Sequence, residues 1–369
     1  GFAGNYLLMM FYTVIAGWLL YYFVEMLRGS FAGLDAEGVA GKFGDLLSRP
    51  GTMTAYMVVV VCIGMLVCAQ GLRNGVERVN KVMMLCLLAL MVVLAVNSVL
   101  LEGAGEGLRF YLQPNFHNLT YDAGGNWILG EAVFAAMGQA FFTLSLGIGA
   151  IAIFGSYIGK EHRLAGEALR IGVLDTCVAF VAGLIIFPAC SAFGVSTGEG
   201  PALVFVTLPN IFNAMPMGRL WGGMFFLFLS FAALSTVIAV FENIISFTMD
   251  RWGFSRKKAV LVNFLGVLVL SMPCVLGSNL WSGFTVLGMD VSGIEDFLVS
   301  QNILPLGSLL YLLFCTSRRG WGWDHFLAEA NQGDGLAFPK GVRVYVSYVL
   351  PLIVLFIFVM GYWNQFGPK

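Results

Sequence analysis

Charged residues are scarce in this sequence. Only 11% of its residues are Asp, Glu, Lys or Arg, whereas 59% are hydrophobic. Soluble domains carry about 25% charged residues and are about half apolar. The mean hydropathy of +0.84 points in the same direction. This composition excludes a soluble domain and predicts a polytopic membrane protein.

The sequence also lacks a basic surplus and any histidine cluster. The formal net charge is −1, which leaves no basic face for nucleic acid. The three histidines lie in predicted loops without the spacing of metal ligands, which argues against a zinc site. They are His117, His162 and His325.

The seven cysteines lie within or at the edges of apolar runs, where cysteine acts as a small hydrophobe. We therefore expect no disulfide framework. They are Cys62, Cys68, Cys86, Cys177, Cys190, Cys274 and Cys315.

Catalytic pairs are missing from the apolar runs. No histidine falls inside them, and neither Asp175 nor Glu242 has a recognisable acid–base partner in the sequence. A membrane-embedded enzyme is therefore not expected, and no organic cofactor is predicted.

Nine apolar stretches are long enough to cross a bilayer, which takes about 20 residues per helix. They cover roughly 5–28, 52–70, 81–101, 131–158, 168–195, 219–249, 257–279, 294–316 and 343–363. Fourteen of the twenty Lys and Arg residues fall in connections on one side, which marks the cytoplasm. The pattern predicts a multi-pass protein of the cell membrane, with the Gly1 end cytoplasmic and the Lys369 end outside. The chain begins without Met or a signal peptide, so we expect a piece of something longer.

One predicted span contains an interruption. The stretch "GQAFFTLSLGIGA" places Gly147 and Gly149 beside Thr143 and Ser145, well inside 131–158. Unwound backbone at membrane depth is tolerated only where it is buried or lines a cavity. Discontinuous helices of this kind place substrate and ion sites at the midplane. The sequence predicts a discontinuous helix near 144–149, and close helix packing through small residues is the alternative.

Other polar residues lie inside predicted spans, where ionisable groups are costly and mark function by default. Asp175 lies in "GVLDTCVAF", and Glu242 and Asn243 lie in "AVFENIISF". These residues are therefore candidates for a functional site.

Two hydroxyls in "AALSTVIAV" lie near a backbone carbonyl. Ser235 and Thr236, with the carbonyl of Ala232, would supply the oxygen ligands that a small cation such as Na⁺ prefers. The alternative is that both hydroxyls bond carbonyls of their own helix. In the first span, Tyr12 combines an apolar ring with a hydroxyl that could meet a carboxylate, although the residue taken alone favours a packing or interfacial tyrosine.

An outer connection of unusual apolarity surrounds "GEGPALVFVTLPNIFNAMPMG". Leu203 to Ile211 are too apolar for a loop lying free in water. We expect an outer capping hairpin at about 200–216 that packs against the helix bundle, with an ordinary long loop as the alternative.

Several motifs in one order resemble the bacterial sodium-dependent amino-acid transporter branch of the neurotransmitter:sodium symporter family. They are "FYTVIAGW", "GLRNGVERVNKVMM", "GQAFFTLSLGIGA", "LDTCVAFVAGLIIFPA", "GPALVFVTLPNIF", "FAALSTVIAVFENIISF" and "SRKKAV". The resemblance implies an all-α polytopic membrane protein with a LeuT-like inverted-repeat fold. Residues 1–369 would form one transporter domain holding spans 3–11, with spans 1 and 2 missing.

The resemblance also implies the activity: sodium-coupled symport of an amino acid by alternating access, chloride-independent, with Na⁺ as the co-transported ion. The expected partners are a small-molecule amino acid, Na⁺ and the lipid bilayer, and the oligomeric state stays open. A truncated, non-transporting product of the same family is the alternative.

The resemblance assigns roles to individual positions. Substrate contacts would be Tyr12, Phe142, Ser145, Ile148, Thr236 and Val240. Sodium ligands would be Thr143, Asp175, Ala232, Ser235 and Thr236. Gln139 and Asp175 match an anion region, where Asp175 would supply the negative charge that chloride supplies elsewhere and take up a proton on the return step. Asp296 and Asp250 match an external and an internal gate, although both are also typical of solvated acids at loop edges.

Overall fold

The computed structural model describes residues 1–121, 124–194 and 201–367. In these ranges the regular structure is helical, and β-pairing is limited to isolated bridges. The α-helices are α1 (Phe2–Arg28), α2 (Ala36–Leu47), α3 (Pro50–Ala69), α4 (Arg78–Val99), α5 (Ala104–Leu112), α6 (Phe116–Thr120), α7 (Leu129–Thr143), α8 (Ala150–Ser156), α9 (Leu164–Ala192), α10 (Leu208–Ala214), α11 (Gly218–Trp252), α12 (Arg256–Gly277), α13 (Val291–Asp296), α14 (Leu304–Thr316), α15 (Trp323–Ala330) and α16 (Leu350–Phe366).

Eight helices within the described residues are long and apolar enough to span a membrane. They are Phe2–Arg28, Pro50–Ala69, Gly75–Val99, Leu164–Ala192, Gly218–Trp252, Arg256–Gly277, Val291–Thr316 and Lys340–Phe366. Each coincides with one predicted span. The remaining predicted span, 131–158, is divided between α7 and α8. The prediction of an all-α polytopic membrane protein is confirmed.

The chain divides into two compact units. The first unit comprises Gly1–Leu7, Asn115–Val178 and Glu295–Lys369, and the second comprises Leu8–Pro114 and Ala179–Ile294. In the first unit, α16 packs against α7 and α14. In the second unit, α11 packs against α3, α4, α10 and α12 and buries several phenylalanine rings. Because α11 is surrounded by other helices, its apolar residues form the core of that unit.

Four π-helical segments occur in the described chain: Leu72–Glu77, Leu203–Thr207, Phe297–Ile303 and Tyr345–Val349. The last three lead directly into α10, α14 and α16, each with a proline in its first turn. Proline has no N–H to donate and its ring crowds the carbonyl four residues back. The wider i→i+5 turn accommodates that carbonyl, so these helices continue across their prolines.

The outer segment predicted as a capping hairpin is a single helical stretch from Leu203 to Ala214, and Gly200 lies outside the described residues. Pro209 produces no turn because it occupies the first turn of α10. Phe205, Leu208 and Ile211 are buried. The hydroxyl of Tyr22 donates to the Phe205 carbonyl at 2.9 Å. The segment therefore packs against the helices of its own unit, as its apolar composition indicates.

Candidate functional site

The helix break between α7 and α8 is produced by backbone conformation. Ser145, Gly147 and Gly149 have φ angles of +50°, +83° and +86°. Right-handed helix requires negative φ, and left-handed conformations are readily adopted only by glycine. The helix therefore ends at Thr143 and resumes at Ala150. Ser145 is one of three residues other than glycine with positive φ in the described chain.

Gly147 is required by a close approach as well as by its φ angle. A Cβ atom at this position would collide with the Leu304 carbonyl and lie 2.8 Å from the backbone nitrogen of Ser308. The break is thus packed backbone to backbone against α14. This contact holds the break in the conformation described.

Substitution of Gly147 by alanine is expected to lower the free energy of unfolding by more than about 1 kcal/mol, because alanine is strained at positive φ and collides with α14. Gly138 is the matched control, since it lies within α7 and a Cβ there would have no neighbour within 4 Å. Gly138→Ala is expected to be neutral or to stabilise by up to about 1 kcal/mol. Thermal unfolding in detergent measures both, and equal shifts would contradict the prediction.

Thr143 and Asp175 form a hydrogen-bonded pair in the first unit. The Thr143 hydroxyl donates to Asp175 Oδ1 at 2.7 Å. Thr143 is the last residue of α7, and Asp175 projects from the middle of α9. Gln139 lies one turn before Thr143 and is exposed. A carboxylate and a hydroxyl at a helix break supply the oxygen ligands and the negative charge that a monovalent cation needs.

The predicted substrate residues of the first unit do not share one cavity. Ser145 borders a cavity of about 500 Å³, whose walls are the break, α14 and α16, with Tyr311 and Leu350 among its lining residues. Ile148 is 1% exposed and Phe142 is half-buried, and neither borders that cavity. The roles of all three residues in substrate binding stay predictions.

Three oxygens converge on one turn of α11 in the second unit. The Ala232 carbonyl accepts hydrogen bonds from Ser235 Oγ at 2.8 Å and from Thr236 Oγ1 at 3.4 Å. The Tyr12 hydroxyl lies near Thr236, and Val240 is buried one turn further along. This is the geometry of hydroxyls that bond their own helix, and it also gathers the three predicted ligand atoms. A cation at this site would have to replace these internal hydrogen bonds.

Glu242 has a partner that the sequence analysis did not identify. Its side chain is 1% exposed and forms a two-pronged ion pair with Arg256, whose side chain is 24% exposed. One contact, Nη1 to Oε1, measures 3.1 Å, and Nη2 contacts Oε2. Arg256 Nε donates to the Cys68 carbonyl at 2.7 Å. The ion pair therefore joins the end of α3, the interior of α11 and the start of α12.

A signal for this pair existed in the sequence. Glu242 stood out as an acid inside a span, and such acids pair with a neighbouring base. The helix carrying it ends at Trp252, Gly253 follows as its C-cap, and "SRKKAV" brings Arg256 back toward Glu242 from the next helix. Choosing among the Arg and Lys residues of that motif requires the geometry of the turn.

The predicted gate acids lie at helix ends. Asp250 is exposed in the last turn of α11, and Asp296 is exposed at the end of α13, where it accepts a hydrogen bond from Ser300 at 2.7 Å. These positions fit solvated acids as well as gates. Their roles in gating stay predictions.

Comparison with known proteins covers nearly the whole chain. The model of the Sodium:neurotransmitter symporter family matches residues 37–367. YhdH, a sodium-dependent transporter of Bacillus subtilis, is 33% identical over 97% of this chain and 78% of its own length. A sodium-dependent transporter of Haemophilus influenzae is 32% identical over 97% of this chain and 77% of its own length. The crystal structure of MhsT in complex with L-phenylalanine matches with a TM-score of 0.85 and 34% identity, over 98% of this chain and 80% of MhsT.

These matches confirm the family predicted from the motifs, the LeuT-like fold and a transporter rather than an enzyme. They agree with the eight membrane-spanning helices and the broken one described above. The chain is a multi-pass membrane protein that belongs to the Sodium:neurotransmitter symporter family.

Proposed function

We propose that the protein carries an amino acid into the cell across the cytoplasmic membrane, driven by inward movement of Na⁺ and independent of chloride, by alternating access. The observation that carries this proposal is the Thr143–Asp175 pair at the helix break. It provides a carboxylate and a hydroxyl inside a membrane-spanning region. An ionisable side chain costs free energy there, so its presence indicates a functional role. The Gly1 end would lie in the cytoplasm and the Lys369 end outside.

Each proposed sodium site draws its ligands from within one unit. Thr143 and Asp175 would bind one ion, and the Ala232 carbonyl with the hydroxyls of Ser235 and Thr236 would bind a second. In the proposed first site, Asp175 supplies a fixed negative charge that would otherwise have to come from a bound anion. This charge supports chloride independence. Gln139 would lie in the same anion region as Asp175. Asp175 would take up a proton during the return step.

The proposed substrate is an amino acid with a bulky apolar side chain. MhsT was crystallised with L-phenylalanine, and the likeness to MhsT supports a substrate of this class. Tyr12, Phe142, Ser145 and Thr236 are the proposed contacts to the substrate, and Ile148 and Val240, both buried and aliphatic, would contact its side chain. Asp250 and Asp296 are the proposed internal and external gate acids.

Uptake of radiolabelled L-phenylalanine into proteoliposomes tests this function. The full chain is expected to accumulate the amino acid only when Na⁺ is higher outside, and replacement of chloride by gluconate is expected to leave uptake unchanged. Replacement of Na⁺ by choline should abolish it. Absence of both Na⁺-dependent uptake and Na⁺-dependent binding for a panel of amino acids would instead support a non-transporting product.

A further inference from the structure

A buried asparagine contacts the helix break. Asn5 lies in the first turns of α1 and is 1% exposed. Its Nδ2 donates to the carbonyls of Gly1 and Ile148, both at 2.9 Å. The second acceptor is 143 residues away in the chain, between Gly147 and Gly149. Since carbonyl oxygens only accept, the two bonds fix which end of the amide faces the break.

Glycines make this contact possible. A Cβ atom at Gly1 would lie 3.0 Å from the Ile148 carbonyl oxygen, and one at Gly4 would lie 2.7 Å from Ile303 Cγ2. The start of α1 can therefore approach both the break and the start of α14. The stretch "GFAGN" therefore combines two glycines, which allow the close approach, with Asn5, whose side-chain amide donates to the Ile148 carbonyl.

Hydrogen-bonding groups on both sides of this contact are left unpaired. Among the described residues, nothing donates to the buried Asn5 Oδ1. Within the part of the chain that the structure describes, the N–H groups of Gly147, Ile148 and Gly149 also donate to no backbone carbonyl. A buried acceptor without a partner costs free energy that a leucine of similar shape would avoid. The unpaired acceptor thus lies beside a segment that carries unpaired donors.

We propose that Asn5 is a positioning residue with two hydrogen-bonding states. In one state, Nδ2 donates to the Ile148 carbonyl, as in this structure. When the break rearranges during transport, Oδ1 accepts a hydrogen bond from one of the N–H groups between Gly147 and Gly149. Asn5 acts on the break and makes no contact with the amino acid. This inference rests on the proposed function, because alternating access is what requires the break to rearrange.

Hydrogen–deuterium exchange of the full chain tests the holding state. Asn5→Leu is expected to raise the exchange rate in 145–152 by about tenfold or more at its hydrogen-bonded amides, those of Ser145 and Leu146, because the carbonyl contact that restrains the break is lost. Asn263 is the matched control, since it is also 1% exposed and donates to a carbonyl four residues back, that of Ala259. Asn263→Leu should leave exchange in 145–152 within about twofold of the wild type.

Transport kinetics test the second state. Per folded protein, Asn5→Leu is expected to lower the maximal rate of L-phenylalanine uptake by about tenfold and to change KM by less than about threefold, as a residue that assists rearrangement should. If Asn5→Leu does not fold, Asn5→Asp keeps the shape but replaces the Nδ2 donor by an oxygen, and the same increase in exchange is expected.

Unchanged exchange in 145–152, or a rise in KM that accounts for the whole loss of uptake, would overturn the proposal. If the wild-type protein takes up no L-phenylalanine, the proposed function fails for that substrate. The exchange comparison between the Asn5 and Asn263 variants then decides this inference alone.

Discussion

Replacing Arg256 by methionine is expected to lower the free energy of unfolding by about 3 kcal/mol, because it leaves the carboxylate of Glu242 buried without its partner. Glu242 is 1% exposed at the side chain and lies inside a membrane-spanning helix. The Cys68 carbonyl would also lose the hydrogen bond from Arg256. Thermal and denaturant unfolding in detergent would measure the loss.

The double variant Glu242→Met with Arg256→Met is expected to recover most of that loss, since an apolar pair of similar volume avoids the buried charge. Lys81→Met is the control, because Lys81 pairs with Glu77 at 2.7 Å while both side chains are more than half exposed. Its cost should stay below about 1 kcal/mol. A single Arg256 variant no less stable than the Lys81 variant would show that the buried pair does not stabilise the junction of α3, α11 and α12.

Replacing Asp175 by alanine is expected to reduce sodium-driven uptake by about 100-fold, which corresponds to about 2.8 kcal/mol at 1.4 kcal/mol per tenfold change. The substitution removes the only charge of the Thr143–Asp175 pair and the acceptor of its hydrogen bond. Initial uptake rates in proteoliposomes, measured against Na⁺ concentration, would show the change as a loss of affinity for Na⁺.

Asp175→Asn separates ligation from charge. It keeps an oxygen ligand but loses the negative charge. Sodium-driven uptake by this variant is therefore expected only when chloride or another small anion is supplied. Asp45→Ala is the control, because Asp45 is an exposed acid in α2, paired with the exposed Arg49. An Asp175→Ala variant with the Na⁺ dependence of the wild type would exclude Asp175 from the sodium site.

The membrane-spanning helices could be predicted from sequence because the bilayer imposes a length and a polarity on each of them. The interruption was also visible, since Gly147 and Gly149 are unfavourable inside a helix and stand beside Thr143 and Ser145. The acids inside spans, Asp175 among them, were visible for the same reason. In each case the signal is local in the chain.

The contacts of those residues could not be predicted, because they depend on atoms without a sequence signature. The acceptor for Asn5 is a backbone carbonyl 143 residues away, and any residue at position 148 would provide one. Glu242 was recognised, yet its choice of Arg256 over the neighbouring lysines follows from the turn after Gly253. A hairpin was predicted at about 200–216, but Pro209 lies in the first turn of a helix, where proline allows the helix to continue.

The π-helical segments have a consequence for how this chain tolerates insertion and deletion. A π turn holds one residue more than an α turn, so removing one residue from Phe297–Ile303 could restore ordinary winding without breaking the helix. Because the wide turn takes up that residue, the helix downstream keeps its orientation, and the Leu304 carbonyl still faces Gly147. The same deletion inside α14, where no wide turn takes up the change, rotates everything after it by about 100° at 3.6 residues per turn. In alignments of this chain, a one-residue gap therefore belongs in the π-helical segments, because a gap elsewhere in a span would exchange its inner and outer surfaces.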